Sequence, residues 1–177
     1  MSAILLSDNY YLCPGVQGSH VETLFIRGEL EIEKLRGTST FSDIIIAIEH
    51  DSLRNNVIRA IKKAKSRYIV LLSAIESDCY VKIDNIIYSS LRFNLQPLQY
   101  LVEFYHTLRQ HTLTRRECEV LKLVHLENHK IAEHLKLSQK TTSTYRVKIQ
   151  EKFNMRAKNS LAMQRVKSAI LDQKIKC

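Results

Sequence analysis

Apolar residues in the first half of this chain come in short unbroken runs. Ala3-Ile4-Leu5-Leu6-Ser7 ends at Asp8-Asn9, and the run predicts a buried strand. Pro14, Gly15 and Gly18 punctuate the chain after it. Residues 21–26 (VETLFI) read as a second strand, and residues 43–48 (DIIIAI), β-branched and continuous, as a third, bounded by Glu49-His50-Asp51. At Ser52 the spacing turns helical, with Leu53, Val57, Ile58 and Ile61 on one face, and it runs into Lys62-Lys63-Ala64-Lys65. Tyr68–Leu72 predicts a fourth strand and Asn85–Ser89 a last one. Residues 97–108, with Leu98, Leu101, Val102, Tyr105 and Leu108, read as an amphipathic helix. Continuous apolar strands alternating with helices predict an α/β domain with a parallel sheet and flanking helices.

From residue 113 the pattern is helical throughout. Gln110-His111-Thr112 reads as a junction, dividing the chain into domains at 1–109 and 110–177. Thr114, with Glu117 three residues on, has the form of a capping box, and Leu113 with Cys118 that of a hydrophobic staple. Val120, Leu121, Leu123 and Val124 give the first helix an apolar stripe; Ile131, Ala132 and Leu135 give the second one. Lys136-Leu137-Ser138 reads as a turn in which Leu137 fills the core and Ser138 caps a third helix. In that helix Thr142, Tyr145, Ile149 and Phe153 are spaced to face inward. Gln139, Lys140, Ser143, Thr144, Arg146, Val147, Lys148 and Lys152 are left outside. Hydroxyls, a methyl-bearing side chain and cations on one face suit base edges and phosphates. Two short helices followed by such a third are the layout of a helix-turn-helix, whose second helix enters the major groove.

The α/β segment ahead of this unit resembles the receiver domain of response regulators. Phosphotransfer there needs several carboxylates around magnesium and a lysine to pair with the phosphate. In the receiver pattern the acceptor lies five residues after the Asp that opens the third strand, and five after Asp43 stands Ile48. The last strand ends in Ser89-Ser90-Leu91-Arg92, without a lysine, and residues 73–84 leave little room for a helix. A shortened pseudo-receiver, not phosphorylated by the usual route, is expected; Asp51 is the alternative acceptor.

The segments LTRRECEVLKLV and KIAEHLKLSQKTTSTYRVKIQEKF resemble the LuxR/FixJ-type helix-turn-helix regulators, over residues 113 to about 168. That resemblance implies a four-helix DNA-binding domain. By it Ser143, Thr144 and Val147 reach base edges, while Lys140, Thr141, Arg146 and Lys152 contact phosphates. A fourth helix, about Lys158 to Ile170, then mediates dimerisation, with Leu161, Ala162, Val166, Ala169 and Ile170 as its apolar positions. The implied partners are double-stranded promoter DNA, a second LuxR-type chain (the same or another) and RNA polymerase. The whole layout resembles the GadE-like accessory regulators of enteric bacteria, some of which pair with an RcsB-like response regulator. Departures are local. Leu126-Glu127-Asn128-His129 is a shortened loop without glycine, and Lys136 and Asn154 stand where glycines are usual. Tyr145 replaces the usual His and Thr142 the usual Val. A lysine in the left-handed region costs about 1 kcal/mol.

Charge supports this division. Residues 1–110 hold 12 basic and 12 acidic side chains, whereas residues 111–177 hold 15 and 6, so the second segment carries the whole surplus of +9. A neutral module joined to a basic one fits regulation coupled to polyanion binding. Cys13, Cys79, Cys118 and Cys177 are scattered without paired spacing, as in reduced cytosolic thiols. No apolar run approaches the roughly 18 residues of a membrane span, so a cytoplasmic protein without membrane contact is expected. His125 and His129 lie four apart, but no third ligand completes a metal set, and a pH-sensing role is the other reading of these histidines. No nucleophile–base pair or phosphate-binding glycine loop stands out, so neither cofactor nor enzymatic activity is expected. The reading that follows is a transcription regulator. Its main rival is a protein-interaction module with weak DNA affinity of its own; a phosphorylated receiver enzyme comes third.

Overall fold

The computed structural model describes residues 3–13, 21–35, 41–61, 66–77, 79–83, 86–92, 102–103, 113–155 and 159–171. Six strands form one sheet: β1 (Ala3–Ser7), β2 (Val21–Phe25), β3 (Asp43–Ala47), β4 (Arg67–Leu72), β5 (Tyr80–Ile83) and β6 (Ile86–Ser90), in the order β2-β1-β3-β4-β6-β5. Five strands run parallel, with Leu6 opposite both Leu24 and Ile46, and Leu72 opposite Ser90. Strand alternation then distributes the apolar runs over two cores. Ile4, Leu6, Ile44, Ile46, Val70 and Leu72 face one side, where helix α1 (Glu29–Leu35) contributes Ile32 and Leu35 and helix α2 (Asp51–Ile61) contributes Val57, Ile58 and Ile61. Leu5, Ile45, Ala47, Ile69, Leu71 and Ile87 face the other, covered in part by Leu12 and Val102. Burial on both faces explains why these strands read as continuous rather than alternating.

Two elements differ from the sequence-based expectation. The sheet is not wholly parallel: β5 pairs antiparallel with β6. Parallel neighbours such as β4 and β6 need a return path of a dozen or so residues. Residues 73–84 are too few for a loop, a helix and a second loop, and an extended edge strand makes the return instead. The other addition is α1, whose seven residues carry only Leu30, Ile32 and Leu35 as apolar markers. Of the expected helix at 97–108, residues 102 and 103 are helical and the rest lie outside the described residues, as do Lys62–Lys65 and the junction at 110–112. The buried Asp43 that opens β3 is paired with Arg67 at the start of β4 (2.6 Å), and Arg67 also donates to the Val102 carbonyl (3.0 Å).

The second half is helical: α3 (Arg115–Lys122), α4 (Asn128–Leu135), α5 (Gln139–Lys152) and α6 (Ser160–Leu171). Val120, Leu121, Val124, Ile131, Ile149 and Phe153 form its core. This unit rests on the sheet unit. Met155 forms an antiparallel bridge with Ile75, the Glu76 amide donates to the Asn154 carbonyl (3.0 Å), and α6 packs on α2 and α3. No helix among the described residues is long and apolar enough to cross a membrane.

Candidate nucleic-acid interface

The recognition geometry starts at the caps. Thr114 Oγ1 accepts from the Glu117 amide (3.3 Å), and Glu117 Oε2 accepts from the Thr114 amide (2.6 Å), the reciprocal box expected for α3. After α4 the chain reverses at Lys136, whose φ of 52° lies in the left-handed region, and the Leu137 amide closes back on the Ala132 carbonyl (2.8 Å). Leu137 is half-buried and stays at the margin of the core rather than filling it. Ser138 Oγ then accepts from the Thr141 amide (3.0 Å) and starts α5. Asn154, with φ 46°, ends that segment in the same left-handed conformation.

α5 has two faces. Thr142, Ile149 and Phe153 are fully buried, and Tyr145 is half-buried against the core. Gln139, Lys140, Ser143, Thr144, Val147 and Lys148 are exposed. Val147 is 43% exposed, unusual for a valine. Thr144 Oγ1 donates to the Lys140 carbonyl (3.0 Å), which fixes its rotamer on the exposed face. Thr141 is half-buried, its hydroxyl 2.8 Å from Ser138 Oγ.

Two expected phosphate contacts are engaged within the protein. Arg146 is half-buried and donates through Nη2 to the carbonyls of Val124 (2.9 Å) and Leu126 (2.6 Å). It thereby ties down the shortened loop between α3 and α4, and burial lowers its guanidinium pKa from the ordinary value. Lys152 Nζ lies 2.6 Å from Glu117 Oε2. Burial opposes charge on the Glu117 carboxyl. The Lys152 ammonium and the Thr114 amide and hydroxyl outweigh that, and they hold its pKa below the usual carboxylate range. Sequence periodicity placed Arg146 and Lys152 outside because it registers angle around the helix and not side-chain reach. One residue on the outer face was missed: Glu151, exposed, one turn beyond Val147 and the only acidic side chain of α5.

The expected dimerisation residues divide. Leu161 is 58% exposed, but Ala162 and Val166 are buried, together with Met163 and Ala169, in the core shared with the sheet unit. The side chain of Ile170 lies outside the described residues. His125 Nδ1 lies 3.2 Å from Lys167 Nζ, and His129 Nδ1 lies 3.2 Å from Glu127 Oε2. α3 ends before His125 and α4 contains His129, so the two share no helical face. Among the described residues no group of three or more His, Cys, Asp and Glu side chains could hold a metal ion.

At the carboxyl end of the sheet Asp8 accepts from the Glu49 amide (3.1 Å) and the His50 amide (3.1 Å). Asp51 pairs with Arg54, which also donates to the carbonyls of Ile48 (2.9 Å) and Glu49 (3.2 Å). Ile48 is fully buried.

Residues 111–164 match the family described as bacterial regulatory proteins, luxR family. The helical unit is a luxR-family domain. That match covers the caps, the turn and all of α5, and with them the outer face described above. No curated relative matches the chain. A solved structure described as a low-resolution structure of the response regulator StyR is similar to it at 15% identity, over 93% of this chain and 97% of that one, with a TM-score of 0.37.

Proposed function

We propose that this protein is a transcription regulator that reads promoter DNA in the major groove through the outer face of α5. The division of labour between residues 1–109 and 110–177 belongs to this reading, as does action as a dimer. The observation that carries it is the face itself. Ser143, Thr144 and Val147 stand together at the exposed centre of a luxR-family α5, with Gln139, Lys140 and Lys148 around them. Hydroxyls and a methyl discriminate base edges, and flanking ammonium groups neutralise phosphates whatever the sequence. Thr141 supports the cap, whereas Arg146 and Lys152 hold the frame of the reading helix from behind.

The sheet unit acts in this reading as a regulatory module that is not phosphorylated. Asp8 and Asp51 are engaged by backbone amides and by Arg54, and the position five residues after Asp43 is the buried Ile48. RNA polymerase is the downstream partner that regulation of a promoter requires.

Selection from a randomised duplex library tests the proposal. Native protein should enrich one sequence. Lys140→Ala should weaken selected and random duplexes alike and flatten the salt dependence by about one phosphate contact. Val147→Ala should cost about 1 kcal/mol on the selected duplex alone. Enrichment of no sequence by the native chain would overturn the proposal. It would favour the accessory role instead, in which another luxR-type regulator brings the chain to DNA.

A further inference from the structure

Among the described residues five large apolar side chains stay exposed, and two of them have places already: Val147 on the reading face and Leu161 on α6. The other three are Tyr10, Tyr11 and Leu30, with 60%, 86% and 75% of their surface exposed. They leave the same end of the sheet. β1 and β2 are parallel neighbours with Ser7 opposite Phe25, so the segment after β1 (Tyr10, Tyr11) and the segment after β2 (Arg27, Leu30) emerge side by side. The rings hold one another outside the core. Tyr10 packs edge-on against Phe25 at 5.6 Å, Tyr11 packs edge-on against Tyr10 at 6.0 Å, and the Arg27 guanidinium stands over Phe25 at 5.2 Å. Edge-to-face aromatics with a stacked arginine are already ordered before any partner arrives, which lowers the entropic cost of docking. Tyrosine and arginine are also the residue types that dominate interface energies.

β2 is the outermost strand on this side. None of its residues is buried, although every residue of its neighbour β1 is. On α1, Leu30 lies opposite the buried Ile32 and Leu35. The exposed charges along β2 and α1 are of both signs: Glu22, Arg27, Glu29, Glu33 and Lys34.

We propose that this edge, built from Tyr10, Tyr11, Phe25, Arg27 and Leu30, is the surface on which a second copy of the chain docks about a two-fold axis. The proposal rests on the reading of the protein as a dimeric regulator and names the surface that makes the dimer. A two-fold axis sets a patch against itself, so the patch must be its own complement. A strip that carries both signs around an aromatic centre can meet that condition, with Arg27 of one copy set against Glu22, Glu29 or Glu33 of the other. A strip of one sign would repel its own image. The apolar face of α6 is already covered within the chain by the shared core, with Ala162, Met163, Val166 and Ala169 all 6% exposed or less. Among the described residues the aromatic edge gathers three of the five large apolar side chains left exposed.

Sedimentation equilibrium of the full chain, native and with Tyr11→Ser plus Leu30→Ser, tests this. Both positions are exposed, and circular dichroism with the melting temperature confirms that the variant folds. The native chain should dimerise, and the double variant should raise the dissociation constant about tenfold or more, with Arg27→Glu acting in the same direction. A native dimer whose dissociation constant ignores these substitutions would overturn the surface and leave the dimer. A native chain that stays monomeric while still selecting a DNA sequence would overturn the dimer as well, and the surface with it.

Discussion

Glu117 joins the start of α3 to the end of α5, and replacing it measures that join. Its side chain is 4% exposed, with the Thr114 amide and the Lys152 ammonium each 2.6 Å from Oε2. Glu117→Ala removes both interactions. Loss of half a capping box costs about 1 kcal/mol. A charge-assisted hydrogen bond is worth about 1.5–3 kcal/mol, and the lower end applies because Lys152 is 31% exposed and can rehydrate. The total is about 2–3 kcal/mol, or about 5–10 °C in melting temperature for a chain of this size. Glu117→Gln keeps an acceptor for the Thr114 amide and loses the charge, so it should cost about half as much. Thermal unfolding followed by circular dichroism at neutral pH is the assay. A melting temperature of Glu117→Ala within about 2 °C of native would refute the reasoning.

The same carboxyl gives a pH signature with a definite sign. Its pKa in the folded state lies below the ordinary 4.5, so the unfolded chain binds the proton more readily. Stability from this group is therefore fully present above that ordinary value and is lost as pH falls through the folded-state pKa. The native chain should lose melting temperature on acidification below pH 4.5 faster than Glu117→Gln does, since that variant has no proton to take up at this site. Parallel curves for the two proteins would refute the assignment.

Other consequences follow from the same geometry. Arg146→Ala should lower the melting temperature, by about 2–3 kcal/mol of lost hydrogen bonding to the Val124 and Leu126 carbonyls, whereas Lys140→Ala should leave it within about 1 °C. Lys136→Gly should raise stability by about 0.5–1 kcal/mol in denaturant titration, because φ at this turn is 52° and a lysine there is strained. Glu151→Gln should tighten binding to random duplex about threefold or more by removing a carboxylate from the face proposed to meet DNA; unchanged affinity would show that Glu151 points away from DNA. Incubation with a small phosphodonor should give no mass gain of about 80 Da, and a gain abolished by replacing Asp51 would end the unphosphorylated reading.

Strands β1, β3, β4 and β6 were legible because burial on both faces leaves a short, β-branched, unbroken apolar run, as in DIIIA and RYIVLL. The caps at Thr114 and Ser138 were legible because a hydroxyl at a helix start has one strong use. α1 and β5 were not, and for the same reason: each is short and its pattern is diluted by charge, as in ELEIEKL and YVKI. What makes them form is tertiary, the need to cover the β1–β3 face and the need for a return path from β4 to β6. The exposed face of α5 was legible as a face, while the reach of individual side chains was not. Arg146 and Lys152 project from outward angles on α5 but curl back to carbonyls and to Glu117, which periodicity cannot register because it follows Cβ direction and not the atoms beyond it.

The placement of α6 changes how the two halves of the chain relate. On an isolated helical unit, Ala162, Met163, Val166 and Ala169 would form an exposed apolar stripe available to a second copy. Here that stripe lies in one continuous core with Ile48, Leu72, Ala74 and Ile75 from the end of the sheet. The chain end of β3 that reaches this contact is held by charged side chains of that end: Asp8 accepts from the amides of Glu49 and His50, and Arg54 donates to the carbonyls of Ile48 and Glu49 and pairs with Asp51. Side chains at the carboxyl end of the sheet therefore shape the platform on which the helical unit sits. Pairing through α6 would require that platform to be vacated. Pairing through the β2 edge of the sheet, at Tyr11 and Leu30, uses none of those four α6 residues.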